Sequence, residues 1–250
     1  MRILVLSFYF EPDLCAGSFR NTALVRVLSG ALAADDTIDV ITTIPHRYNS
    51  FSAPAERYEA IENTCIHRIA LPTHKSGVVG QALAFMSYVR GVLSATKNQS
   101  YDLVYASSSR LMTAALGAIV ARRQSTLLYL DIRDIFTETV SDLYHRSPVC
   151  LLLPVLKRLE RFSIQSAARI NLVSPDFIDH FIKIDKSQTY RMFTNGVDQL
   201  CDDGLSGGKL HHSEYKEILY AGNIGEGQGL HRIIPKVATL LGPEWRIRII

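Results

Sequence analysis

Short apolar runs rich in β-branched and aromatic residues alternate along this chain with longer stretches whose apolar positions recur at helical spacing. Residues 2–8 form one such run, with no polar alternation, as expected of a strand buried on both faces. Pro, Asp and Gly between positions 11 and 17 mark a loop. Ser18 is placed to cap a helix carrying Leu24, Val27, Leu28, Ala31 and Leu32, and residues 37–43 follow as a strand. That is a βαβ unit, and it commits the chain to a parallel sheet with helices packed against it.

The alternation continues. Strands are expected at 65–70, 103–106, 126–132, 169–173 and 190–194, and helices at 79–97, 111–122 and 148–168. The helix at 79–97 carries Leu83, Met86, Val89, Arg90 and Leu93 along its length. Pro154 predicts a break in the helix at 148–168, and Ser174-Pro175 marks a helix start. Residues 44–63 read as a polar excursion. Residues 199–213 offer almost nothing to bury and read as a linker. After it a strand at 216–221, a Gly-rich loop, a helix at 230–241 and a strand at 245–250 restart the pattern. One βαβ unit cannot complete a parallel sheet, so 1–198 is expected to be a whole domain, 199–214 a linker and 215–250 the incomplete opening of a second.

Composition narrows the function classes. Twenty-seven Lys and Arg against 24 Asp and Glu give a net charge of +3, too mild to indicate a nucleic-acid binder. The four cysteines are scattered, so neither a disulfide framework nor a zinc knuckle follows, and reduced thiols in a cytoplasm are expected. Glu11-Pro12-Asp13 interrupts the apolar start too early for a signal peptide. No run of about 20 apolar residues exists, so a soluble protein is expected. No HExxH-type metal pair or G-x-S-x-G elbow is present, and no cofactor is implied.

Four places carry candidate chemistry. Gly222, Asn223, Gly225, Gln228 and Gly229 lie in the Gly-rich strand-to-helix loop. It reads either as a cradle for a diphosphate at a helix N-terminus or as a tight turn. The loop after the first strand holds Pro12 and Gly17, with Arg20 either reaching an anionic ligand or standing solvated. Asp131-Ile132-Arg133-Asp134 ends a strand, with Asp131 and Arg133 on one side; the charges meet a ligand or form an internal ion pair. Asn195-Gly196 ends the last strand of the first set, as a turn or as a cleft lining. Separately, residues 149–162 join an apolar run to Lys157, Arg158 and Arg161, which fits an anionic membrane surface or a core helix with a basic outer face.

The order of these motifs resembles family 4 glycosyltransferases: a first-strand loop with Pro and Gly, Arg133-Asp134 at a strand end, Leu172-Val173-Ser174-Pro175, Thr194-Asn195-Gly196-Val197-Asp198 and Tyr220-Ala221-Gly222-Asn223-Ile224-Gly225. Gln228-Gly229-Leu230 is similar to the branch that builds bacterial envelope polysaccharides. The resemblance implies an α/β fold of GT-B type, two Rossmann-like domains, the second incomplete here. It also implies a retaining sugar transfer from a nucleotide-diphosphate sugar to a saccharide or lipid-linked acceptor. By the same resemblance Asp134 and Arg133 lie near the reacting sugar and Pro12–Gly17 approaches acceptor and donor phosphate. Asn195, Gly196 and the Gly222–Gly229 loop then belong to the donor side. The chain departs from the family in having Ala16-Gly17 for a Gly-Gly pair, Arg133 for a histidine, and no basic pair near Gln228. The implied location is the cytoplasm, with room for peripheral contact at the inner membrane. Little transfer by the 250 residues alone is expected. The alternatives are a non-catalytic remnant that binds acceptor or partner, and a GT-B-fold nucleotide-sugar epimerase.

Overall fold

The structure is a computed structural model that describes residues 1–45, 54–72, 78–108, 111–144, 148–196, 215–222, 224 and 228–250. The chain divides into two compact units, Met1–Gly196 and Val197–Ile250.

The first unit is a mostly parallel α/β sheet. In chain order its elements are β1 Arg2–Leu6, α1 Ala16–Ala31, β2 Thr37–Thr43, β3 Tyr58–Ile61, β4 Thr64–Ile69, α2 Val78–Ala95 and β5 Leu103–Ser108. They continue with α3 Leu111–Gln124, β6 Leu127–Ile132, α4 Phe136–Tyr144, a 3-10 turn at Pro148–Leu152 and α5 Leu153–Ser166. Strand β7 Arg169–Leu172, a second 3-10 turn, α6 Ile178–Ile184 and β8 Tyr190–Met192 complete the unit. The strand order is β3-β4-β2-β1-β5-β6-β7-β8, and only β3 runs antiparallel. From β1 the chain builds outward to one side, then returns and builds to the other from β5. The reversal between β1 and β5 opens a crevice at the carboxyl ends of the strands.

Leu4, Val5 and Leu6 are fully buried because helices cover both faces of β1. One face packs Leu4, Leu6, Val104, Leu130 and Ile170 with Tyr88 of α2, Leu116 of α3, Ile164 of α5 and Phe181 of α6. The other packs Ile3, Val5, Ile38 and Val40 with Leu24, Val25 and Leu28 of α1.

Several expectations are corrected. Helix α1 begins at Ala16 with Cys15, not Ser18, in the cap position, so Gly17 and Ser18 lie inside the first turn. Its buried stripe is Ser18, Asn21, Thr22 and Val25, whereas Val27 is exposed. In α2 the buried face is Ala84, Phe85, Tyr88 and Val92, which leaves Leu83 and Met86 exposed. Part of the supposed excursion at 44–63 is strand β3, and α4 was not anticipated. The change at Pro154 is from a 3-10 turn to α-helix, with Pro154 in the first turn of α5, where its missing N–H costs nothing. Ser174 does cap, accepting from the Asp176 N–H.

The second unit pairs β9 Lys216–Tyr220 in parallel with β10 Trp245–Ile249, joined through α7 Leu230–Leu240. Ile218, Leu219, Ile233, Leu240 and Ile249 are exposed there.

Buried phenols give unit 1 an alkaline limit. The Tyr88 hydroxyl donates to the Ile41 carbonyl at 2.8 Å and that of Tyr105 to Asn21 Oδ1 at 3.3 Å. Burial pushes both phenols well above their usual range. Above pH ~10 the unfolded chain loses these protons and the folded chain keeps them, so stability falls as pH rises. The expected loss is about 2 kcal/mol between pH 10 and 11, measured by urea unfolding. A flat stability profile across that window would refute it.

Candidate active site

At the carboxyl ends of β1, β5, β6 and β7 the sheet face under α1 turns polar. The register sets Ser107 beside Asp131 and Asp131 beside Asn171, and Ser7 follows Leu6 one step beyond its pairing with Ala106. A row of polar side chains in buried strands is tolerable only if each is bonded. Asp131, 1% exposed, is gripped by Arg20 of α1 through two contacts of 2.9 Å, Nε to Oδ2 and Nη2 to Oδ1. Asn171 Nδ2 donates to Asp131 Oδ1 at 2.7 Å, and its Oδ1 accepts from the Phe193 N–H at 2.7 Å. Asn21 donates to Ser7 Oγ at 2.7 Å and accepts from Tyr105. Burial works against the Arg20 charge, but the Asp131 carboxylate more than offsets it and leaves the guanidinium above its usual pKa.

The same guanidinium holds the strand-end turn. Arg20 Nη1 donates to the Thr194 carbonyl at 2.8 Å and reaches Asn195 Oδ1 at 3.4 Å, while Nη2 donates to the Phe193 carbonyl at 3.0 Å. Asn195 and Gly196 therefore stand at the rim beside Arg20, and Gly196 is exposed. The loop with Pro12 is tied down as well. The Glu11 N–H donates to Thr22 Oγ1, Arg26 pairs with the Glu11 carboxylate at 2.6 Å, and buried Arg68 donates to the Glu11 carbonyl at 3.1 Å. The Glu11–Pro12 peptide is cis.

Arg133 and Asp134 lie immediately past β6 and differ from their neighbours. Two donors of Arg133, Nε and Nη1, are buried with no hydrogen-bond partner among the described residues. The internal pair in this stretch is Arg20 with Asp131, and Arg133 takes no part in it. The Ser18 and Ser107 hydroxyls, also buried, have no partner among the described residues either. Asp134 is exposed overall, yet burial of its carboxyl raises its pKa above the usual carboxylate value, with Arg133 pulling the other way. A guanidinium with two buried donors unbonded among the described residues and a desolvated carboxyl, adjacent at a strand end, make this rim the candidate site.

The structure thus gathers Pro12, Gly17, Arg20, Asn195, Gly196, Arg133 and Asp134 on one edge of the first unit. Gly222, Gln228 and Gly229 belong to the second, and Asn223 and Gly225 lie outside the described residues. Gly229 takes φ +63° at the N-cap of α7, and Gly222 φ +157°, both conformations that favour glycine. Among the described residues no cluster of three or more His, Cys, Asp or Glu side chains forms a metal site. Sequence reasoning missed Asn21, Asn171 and Arg68. Asn171 was visible as an amide inside an apolar strand.

No protein-family model and no curated protein matches the chain. Solved structures do. The chain is similar to Alr3699/HepE of Anabaena in complex with UDP-glucose, at 14% identity and TM-score 0.57, over 100% of this chain and 60% of that one. It is similar to the lipopolysaccharide outer core galactosyltransferase WaaB in its apo form, at 9% identity and TM-score 0.52, with the same coverage. It is also similar to a UDP-N-acetylglucosamine 2-epimerase described as putative, from Listeria monocytogenes, at 10% identity and TM-score 0.51, over 100% of this chain and 62% of that one. These likenesses show an α/β, Rossmann-like fold. The chain spans about three fifths of their length.

Proposed function

We propose that the chain is a glycosyltransferase that moves a sugar from a nucleotide-diphosphate sugar to a saccharide or lipid-linked acceptor with retention, within polysaccharide biosynthesis. The observation that carries this is an Arg133 guanidinium with two buried donors unbonded among the described residues, next to a desolvated Asp134 carboxyl at the strand ends, in a fold shared with a protein solved with UDP-glucose. In this reading residues 1–198 are the acceptor-side domain, 199–214 the linker and 215–250 the start of the donor-side domain. The reaction relies on positioning and on charge placed where the leaving diphosphate develops it more than on a strong base. Arg133 supplies such a charge, and Arg20, already committed to Asp131, holds the rim in shape.

The test is calorimetry with UDP-glucose, followed by transfer assays with radiolabelled donor and lipid-linked acceptors. Absence of both binding and transfer defeats the reading. The Listeria neighbour favours one rival, an epimerase. Incubation with UDP-N-acetylglucosamine and no acceptor separates the two, because only an epimerase forms the 2-epimer.

The acceptor side has a surface suited to a membrane. Leu151, Leu152 and Val155 are exposed next to exposed Lys157, Arg158 and Arg161. Such a surface binds anionic lipid through apolar insertion and through charge. No helix among the described residues is long and apolar enough to cross a membrane. The expected result is co-sedimentation with phosphatidylglycerol vesicles that weakens with salt and is lost in K157E/R158E/R161E. Equal binding to neutral vesicles would contradict it.

A further inference from the structure

Three helices that follow β6 and β7 converge on one imidazole. His180 of α6 sets Nδ1 2.9 Å from Glu138 Oε1 of α4 and Nε2 3.1 Å from Glu160 Oε2 of α5. Glu160 is buried, and both its oxygens accept from the Thr137 hydroxyl, at 3.1 and 3.0 Å. At the other end Glu138 is open to solvent, its side chain 60% exposed. A buried carboxylate in this position is costly to retain for packing alone, since an apolar residue of similar volume would hold three helices at no desolvation cost.

Its surroundings give Glu160 a destination. A cavity of about 10 Å³ is lined by Glu160 and by Asp134, together with Ser108 and Ser163. That is the room one water needs, and its polar lining supplies the partners a buried water requires. The hydrogen-bonded side chains therefore run from solvent at Glu138, through His180 and Glu160, to the cavity that Asp134 borders.

We propose that Glu138, His180 and Glu160 form a proton path between solvent and Asp134, and that they act through Asp134 without touching substrate. This rests on the proposed transfer reaction. There the acceptor O–H bond breaks as the new glycosidic C–O bond forms, and the sugar–phosphate C–O bond breaks with its electron pair leaving on the diphosphate. Asp134 takes the hydroxyl proton. The relay passes a proton from the cavity to Glu160, across the two ring nitrogens of His180, and to Glu138 and solvent. Imidazole suits the middle position because one ring nitrogen accepts while the other donates.

The facing charged groups are Glu138 from α4 and Glu160 from α5, with Asp134 beyond the cavity. The experiment follows the ring nitrogens of His180 by NMR at one fixed pH in the full chain labelled with ¹⁵N-histidine, and needs no nucleotide sugar. Asp134→Asn is expected to move the His180 ring signals, because hydrogen bonds in a chain polarise one another. In an E160Q background the same substitution is expected to leave those signals in place. If D134N leaves the His180 signals unmoved, the cluster only staples helices and the proposal falls. An equal D134N change with and without Glu160 also overturns it. Failure of UDP-glucose binding would defeat the transfer reading and leave this coupling intact, so the two are distinguishable.

Discussion

Asp131→Ala is expected to cost about 3–5 kcal/mol of stability, because it leaves the Arg20 guanidinium partly buried without its carboxylate. The side chain of Arg20 is only 17% exposed, and both ends of the fork are used. The loss spreads beyond one pair. Asn171 also donates to Asp131, and Arg20 anchors the carbonyls of Phe193 and Thr194, so the end of β8 and the Asn195 turn depend on the same carboxylate. A total stability of about 5–15 kcal/mol is usual for a domain, so this change takes a large share of it. Replacing both partners, as R20L/D131L, is expected to recover much of the loss, since no isolated charge then remains. Urea unfolding of R20L, D131L and R20L/D131L closes the cycle. A cost under about 1 kcal/mol for D131A would class the pair with surface salt bridges and contradict the burial argument.

Arg133 is expected to behave in the opposite way. Two of its donors are buried and unbonded among the described residues, and an unsatisfied charged donor costs more than the roughly 1–3 kcal/mol of a neutral one. Arg133→Met keeps the apolar stem and removes the charge, so the variant is expected to unfold at higher urea concentration than the parent. The same change removes the cation meant for substrate phosphate. A charged hydrogen bond is worth about 1.5–3 kcal/mol, so affinity for UDP-glucose is expected to fall about ten- to a hundredfold. Gain of stability with loss of binding is the pattern of a residue kept for function. Destabilisation with unchanged affinity would make Arg133 a structural residue.

Strand positions were legible wherever burial on both faces makes the run largely apolar, as in β1, β5 and β6. Strand β3 was not, because Tyr58–Ile61 is only four residues long, pairs only with β4 at the sheet edge and is mostly exposed. Helix α4 carries Thr137, Thr139 and Ser141, poor helix formers, and its buried Thr137 is bonded to Glu160, a contact that no local pattern contains. The face of α1 was misjudged for a related reason. Its inward positions Ser18, Asn21 and Thr22 are polar because the sheet beneath them is polar, and an apolar-stripe rule looks elsewhere.

The candidate site was legible in part. A charged Asp131-Ile132-Arg133-Asp134 at the end of an apolar strand flagged the right place, since such charges need partners. It did not say which charge has one. Arg20 lies 111 positions from Asp131, and only the fold reveals that this pair is closed while Arg133 remains open.

The central claim, that the rim after β6 receives a nucleotide-diphosphate sugar, is tested most directly by ¹H–¹⁵N spectra of the ¹⁵N-labelled chain titrated with UDP-glucose. The account predicts saturable shifts at Arg133, Asp134, Ile135, Asn195 and Gly196 that weaken in R133M. Spectra that stay unchanged at saturating nucleotide sugar, or shifts confined to the β2–β4 side of the sheet around Tyr58, Cys65 and His67, would contradict it.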